Sequence, residues 1–317
     1  MQGVRMSALD PASPHAERVA DFFWYMLIVA AVIYVIVVAV LLIASLRRRE
    51  GLRGPAMEAR LERRAALSVA IALGATVVVL LVTLGLDFGV GRAIASSGTS
   101  PLTIEIIGNQ WWWKVNYEDS IPQRRVTTAN EIYIPAGRRV KLVMKSNDVI
   151  HSFWVPSLMG KRDLVPGYRT ETWIQADRPG VYRGQCAEFC GHQHAKMAIT
   201  VVAVSEAEFA AWVTAQRQPA ATPTDSLALA GQQSFVSGSC AICHNITGTL
   251  ASGQVAPDLT HLASRRTIAA GTLPNTRGHL AGWIVDPQGI KPGVRMPSNE
   301  LTPHELHALL AYLETLR

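Results

Sequence analysis

The chain is 317 residues long, carries a formal net charge of +6 and contains only four cysteines. All four lie in two short motifs, CAEFCGHQHAKM and CAICH, which leaves none for a structural disulfide and points to metal or cofactor sites, most simply those of an electron-transfer protein. The positive charge makes no case for a nucleic-acid partner, because long apolar runs and metal-binding motifs accompany it.

Residues 1–21 read as an N-terminal tail, followed by uncharged apolar runs at 22–46 and 65–86. At 1.5 Å rise per residue, each run exceeds the ~30 Å hydrocarbon core of a bilayer. Two transmembrane helices are therefore predicted, over about 22–46 and 65–88, as a hairpin domain at 22–98. A signal peptide fits the first run poorly, since the run is too long and follows Asp10, Glu17 and Asp21 rather than a basic segment. Arg47, Arg48, Arg49, Arg53, Arg60, Arg63 and Arg64 lie between the spans, against Arg5 and Arg18 before them. The excess of basic residues places that loop in the cytoplasm. The tail and everything after the second span then face the periplasm of a bacterial inner membrane, with lipid as a partner.

Residues 99–204 contain short runs at 102–107, 131–134, 140–144 and 170–175, broken by Pro and Gly. This pattern predicts an all-β domain, compatible with a Greek-key sandwich of cupredoxin type whose ligands sit on loops at one end. Cys186, Cys190, His194 and Met197 follow at spacings of four, four and three, and His151-Ser152 lies on an earlier strand-like segment. Thiolates, imidazoles and a thioether together suit copper. A mononuclear blue-copper site needs one Cys, so a second thiolate suggests two sulfurs bridging two copper ions. A disulfide or zinc site at Cys186 and Cys190 would leave His151, His194 and Met197 unexplained. Upstream, GNQWWWKVNYED holds three consecutive Trp, a group suited to a membrane–water boundary.

A helix at 206–216 and the stretch PAATPT form a helix-and-linker segment at 205–225, with little capacity to pack. In the last domain, 226–317, CAICH carries the pattern of covalent haem c attachment: thioether bonds from Cys240 and Cys243, with His244 as proximal ligand. Four-coordinate zinc would need a second Cys pair. Met296, the only methionine from Cys240 onward, lies in KPGVRMP ahead of a helical stretch at 303–316. A thioether sixth ligand would raise the haem potential; His261, His279, His304 and His307 are its competitors. Residues 99–204 hold thirteen basic and nine acidic side chains, a net +4, and residues 226–317 six and five, a net +1. A surface built to capture a strongly basic cytochrome would be acidic, so the tethered haem domain is the better donor to the copper domain.

With these motifs in place, residues 226–317 resemble a class I cytochrome c, which implies an all-α domain, Met296 as distal ligand and Pro257 bracing the proximal histidine. Residues 22–204 resemble subunit II of cytochrome c oxidase. Residues 186–197 match the family's binuclear copper A pattern, C-x-E-x-C-x3-H-x2-M, and HSFWVPSLMGKRDLVPGY and GNQWWWKVNYED resemble its His-Ser strand with Pro-Gly loop and its aromatic segment. The resemblance implies His151, Cys186, Cys190, His194 and Met197 as copper ligands, with Glu188 ligating through its carbonyl. The Glu188 carboxylate would reach an interfacial magnesium shared with the catalytic subunit. His192 falls two residues short of the ligand position, and Trp111 becomes the electron inlet for a cytochrome donor. Departures are Asn109, where many members carry His, and a second span without the family's Pro and Trp, which leaves Glu62 the only acidic residue near its start. The implied function is subunit II of a haem-copper oxidase, passing electrons from haem c to copper A and on to subunit I for reduction of dioxygen to water, coupled to proton translocation. Its partners would be subunit I, other oxidase subunits and an external cytochrome or quinol–cytochrome c reductase. The alternatives are the copper A subunit of a nitric oxide reductase and a membrane-anchored copper-binding module.

Overall fold

The computed structural model describes residues 4–47, 55–95, 100 and 102–317. Arg48, Arg49 and Arg53 of the basic loop and the expected domain boundary at 98/99 lie outside the described residues. Two compact units emerge, one of Glu17–Ser96 and one of Met1–Ala16 with Ser97–Arg317.

The first unit holds two helices, α1 (Pro14–Leu46) and α2 (Pro55–Ala95), both long and apolar enough to cross a membrane. Over their apolar middle stretches the side chains are largely exposed, as expected of segments that meet lipid rather than a protein core. At 33 and 41 residues they run to about 50 and 62 Å, longer than the predicted spans. The early start of α1 has a local cause: the Ser13 hydroxyl caps it by accepting from Ala16 N at 3.0 Å, and proline suits a first helical turn. Tyr25 and Thr83 share a 3.1 Å hydrogen bond between the helices.

The second unit begins with a β-sandwich. Its strands are β1 (Thr103–Asn109), β2 (Trp112–Tyr117), β3 (Val126–Ala129), β4 (Glu131–Pro135), β5 (Val140–Ser146), β6 (His151–Trp154), β7 (Arg162–Leu164), β8 (Thr170–Ile174), β9 (Gly180–Cys186) and β10 (Ala198–Val204). They form two five-stranded sheets, β3-β2-β1-β5-β8 and β4-β10-β9-β6-β7, in a cupredoxin-like arrangement. Period-2 alternation sends Ile104, Ile106, Trp113, Val115 and Tyr117 into the core between the sheets. The four runs expected as strands are β1, β4, β5 and β8. The N-terminal tail adds to this domain: Arg5 N donates to Val181 O, Arg183 N to Arg5 O, and Ala12 N to Ser157 O, at 2.7–2.9 Å.

Helix α3 (Glu206–Gln216) starts in a Ser205/Glu208 capping box and packs Phe209 and Trp212 on the sandwich, Trp212 stacking on Tyr133 at 4.6 Å. The linker is less loose than its composition suggests, since Ala220 N donates to Thr247 O at 2.8 Å. The last domain follows with α4 (Ser226–Ser237), α5 (Cys240–Cys243), α6 (Arg277–Val285), α7 (Pro287–Ile290) and α8 (Pro303–Leu313); it is helical but not all-α as expected, since Thr267–Ile268 pairs antiparallel with Leu273–Pro274. Helices α4 and α8 cross closely because Gly231 has no side chain; a Cβ there would lie 1.9 Å from Ala308 O. The expected last helix ends at Leu313 rather than 316, where Leu316 O turns to accept from Ala263 N at 2.7 Å.

Candidate metal centre

Two strand ends and one loop of the sandwich converge on a single cluster, buried but for the half-buried His194. His151 opens β6 and Cys186 closes β9, and the two meet because β6 and β9 are hydrogen-bonded neighbours. The loop after β9 returns Cys190, His194 and Met197 to the same point before β10 begins. Cys186 Sγ and Cys190 Sγ lie 3.7 Å apart, too far for a disulfide at about 2.05 Å and close enough to share metal ions. His151 Nδ1 is 3.9 Å from Cys186 Sγ, and His194 Nδ1 is 3.7 Å from Cys190 Sγ. Met197 Sδ is 3.8 Å from Cys190 Sγ, and Glu188 O is 3.3 Å from Cys186 Sγ. Two thiols, two imidazoles, a thioether and one carbonyl are thus gathered in one buried place, a donor set that fits copper. The two thiols share one hydrogen bond, which favours the thiolate at Cys186 and holds the proton on Cys190.

The Glu188 side chain points away from this cluster, part-exposed and 3.5 Å from Lys161 Nζ. His192 is exposed, as befits a residue out of register with the ligands. Asn109 sits at the end of β1, its Oδ1 accepting from Asn147 Nδ2 at 2.8 Å.

Asp148 completes the cluster and carries no signal in the sequence beyond standing three residues before His151. Its Oδ1 lies 2.8 Å from His151 Nε2, and its carboxylate also accepts from the backbone of Gln110 and Val149. That bond places the imidazole proton on Nε2 and turns Nδ1 toward the sulfurs, the orientation a metal-binding histidine needs. Burial opposes ionisation of both partners, yet their mutual bond holds the Asp148 carboxyl below, and His151 above, its ordinary range.

Trp111 packs beside the same loop, with Nε1 donating to Cys190 O at 2.8 Å. Gly191 allows this approach: its φ is +108°, and a Cβ there would lie 3.0 Å from the indole. Trp111 is only 8% exposed, because residues of the following domain cover it.

In the helical domain, Cys240 and Cys243 occupy α5 and His244 ends it. His244 Nδ1 donates to Pro257 O at 2.7 Å, leaving Nε2 as a lone-pair donor, and burial lowers its basicity. A neutral, oriented imidazole beside two free thiols fits covalent haem c. Met296 lies apart, on the loop after α7, its carbonyl accepting from Gln288 Nε2 at 2.7 Å. The competing His261 is committed elsewhere, its two ring nitrogens facing Arg317 O and Gln216 O. His304 and His307 are exposed, and His279 bonds Thr276 at its own helix start.

Residues 119–204 match the family "Cytochrome C oxidase subunit II, periplasmic domain", and residues 228–317 match "Cytochrome c". The chain carries the subunit II periplasmic domain joined to a cytochrome c domain. Cytochrome c oxidase subunit 2 of Alkalihalophilus pseudofirmus is 40% identical over 222 residues, which is 69% of this chain and 63% of that protein. The Bacillus subtilis subunit 2 is 30% identical over 226 residues, 68% of this chain and 62% of that protein. The chain thus spans under two thirds of the length of these curated relatives. Among solved structures, the periplasmic domain of subunit II of cytochrome oxidase (CoxB) of Bradyrhizobium japonicum is 32% identical, covering 38% of this chain and 96% of that one, at a TM-score of 0.36. A subunit II periplasmic domain and a cytochrome c domain imply copper A and haem c as the cofactors.

Proposed function

We propose that this chain is the electron-inlet subunit of a haem-copper oxidase, anchored in a bacterial inner membrane with both soluble domains on the periplasmic side. His151, Cys186, Cys190, His194, Met197 and the Glu188 carbonyl would hold copper A, and Cys240, Cys243, His244 and Met296 would hold haem c. When bound, these groups supply two one-electron carriers in series toward a catalytic partner subunit, where dioxygen is reduced to water with proton translocation. The observation that carries the reading is the 3.7 Å approach of two buried thiols ringed by imidazole and thioether donors, in the same compact unit as a haem c motif.

The chain's own residues prepare both sites. Asp148 fixes the His151 tautomer, Pro257 O fixes that of His244, and the two thiols face each other at 3.7 Å. Such preorganisation suits small structural change on one-electron transfer. Trp111 joins the copper loop to the surface that faces the helical domain and is the proposed inlet. An interfacial magnesium at the exposed Glu188 carboxylate, and an external cytochrome or quinol–cytochrome c reductase as donor, belong to the same proposal.

The test uses the complex purified from native membranes through a tag on this chain. Its haem is reduced with an artificial donor, and oxygen and nitric oxide consumption are followed separately. Rapid, cyanide-sensitive oxygen uptake is the expected result. Nitric oxide consumption without oxygen uptake would assign the chain to a nitric oxide reductase, and consumption of neither to a copper-binding module.

A further inference from the structure

Lys291 is a lysine buried to 2% exposure, in a segment whose neighbours are all tied to the copper domain. Its Nζ donates to Trp111 O at 2.8 Å, across the boundary between the two domains, and to Ala269 O at 3.2 Å. The residues on either side are bonded in the opposite sense. Ile290 O accepts from Lys196 Nζ at 2.5 Å, and Pro292 O from Gln193 Nε2 at 2.7 Å. Gln193 and Lys196 are two non-ligand residues of the copper loop, each next to a proposed ligand, so the loop that would bind metal also grips the helical domain. Just beyond, Gly293 lies against the indole of Trp111, where a Cβ would be 3.6 Å from Cη2, and Val294 packs on the sandwich core. The same loop runs on to Met296.

We propose that Lys291 is a positioning residue: its buried amine clamps segment 290–294 over Trp111, so that the haem domain is a seated lid on the electron inlet rather than a carrier swinging on its linker. The inference rests on the electron-inlet reading above. Neither partner of the clamp is itself a proposed ligand, yet the clamp ties the distal-ligand loop to Trp111. With the lid seated, a soluble donor cannot reach Trp111 and must deliver to the haem domain.

The test compares wild-type, Lys291→Met and Gln193→Ala complexes. Haem is photoreduced with a surface-attached ruthenium label, and its reoxidation by the copper centre is timed. Amide exchange is measured in parallel over residues 109–113 and 289–296. In Lys291→Met the copper and haem spectra and potentials should persist while the intramolecular rate falls about tenfold, the loss expected when buried carbonyl acceptors are left unpaired. Both segments should lose protection, and a soluble donor should begin to reduce copper directly. Gln193→Ala, which loosens the seam from the copper side, should give a smaller change in the same direction. An unchanged rate and unchanged protection in both variants would overturn the clamp. Absence of haem-to-copper transfer in the wild type would instead overturn the electron-inlet reading, and the exchange data would still decide the clamp.

Discussion

Within the metal cluster, the side chains differ in how tightly each is committed. Cys186, Cys190 and His151 are buried and mutually in contact, whereas Met197 reaches the group only through Cys190 Sγ at 3.8 Å. A thioether in that place acts as a weak ligand that tunes potential more than it holds metal. Met197→Leu, close in volume, should therefore shift the copper potential in a redox titration while metal analysis still finds two copper ions per chain. Complete copper loss would show that the sulfur is structural. Asp148 teaches a different lesson about single residues. The candidate ligands stood out because metal binding demands particular residue types at fixed spacings. Asp148 was not, because any turn can hold an aspartate and only the fold reveals that this one meets an imidazole at 2.8 Å.

At the level of elements, local chemistry spoke clearly. The predicted strands became β1, β4, β5 and β8, and the helix at 206–216 formed over those residues because Ser205 and Glu208 cap each other. Where elements departed from expectation, a distant contact backed the local cap: α1 begins early, at Pro14, because Ser13 caps it and is itself held by donating its hydroxyl to Leu158 O. The seam at 290–292 was invisible for the same reason, since a lone lysine in PQGIKPGV looks like any surface charge until a second domain covers it. That seam has a pH signature. Burial, aided by the neighbouring Lys196 ammonium and opposed by Cys190, lowers Lys291 from 10.5 to about 7. Opening the seam returns the amine to its ordinary value, so the open state binds more protons between about pH 7 and 10.5. Docking should strengthen as pH rises through that window and stay level below it. Exchange protection factors for 289–296, compared at pH 7 and pH 9, should be larger at pH 9.

For the molecule as a whole, the two soluble domains hold each other at more than one place. Glu131, 3% exposed on β4, accepts from the backbone of Arg266 and Thr267 at 2.7 and 3.2 Å, and Ala198 N donates to Ala270 O at 2.9 Å. Burial raises the Glu131 carboxyl despite the nearby Arg265 guanidinium. Glu131→Ala would strand two backbone donors and remove the acid beside half-buried Arg265. It should cost about 3 kcal/mol and lower the calorimetric Tm of the soluble unit by roughly 5–10 °C; a Tm within 1 °C of wild type, on the order of scan error, would mean the contact is idle. The domain sequence itself was readable because each domain carries its own composition and motif. Their mutual seating was not, because it depends on pairings between residues far apart in the chain, such as Glu131 with Arg266, 135 positions on.

The N-terminal strap extends that separation to an order of events. Ser7 N donates to the Ser157 hydroxyl, 150 residues downstream, and Arg5 pairs later still, with Val181 and Arg183. Translation at ~5–20 residues per second leaves this segment without its partners for roughly 10–30 s after it is made. Residues made early are thus among the last to find their place, and a seated strap marks a sandwich whose β9 has already arrived.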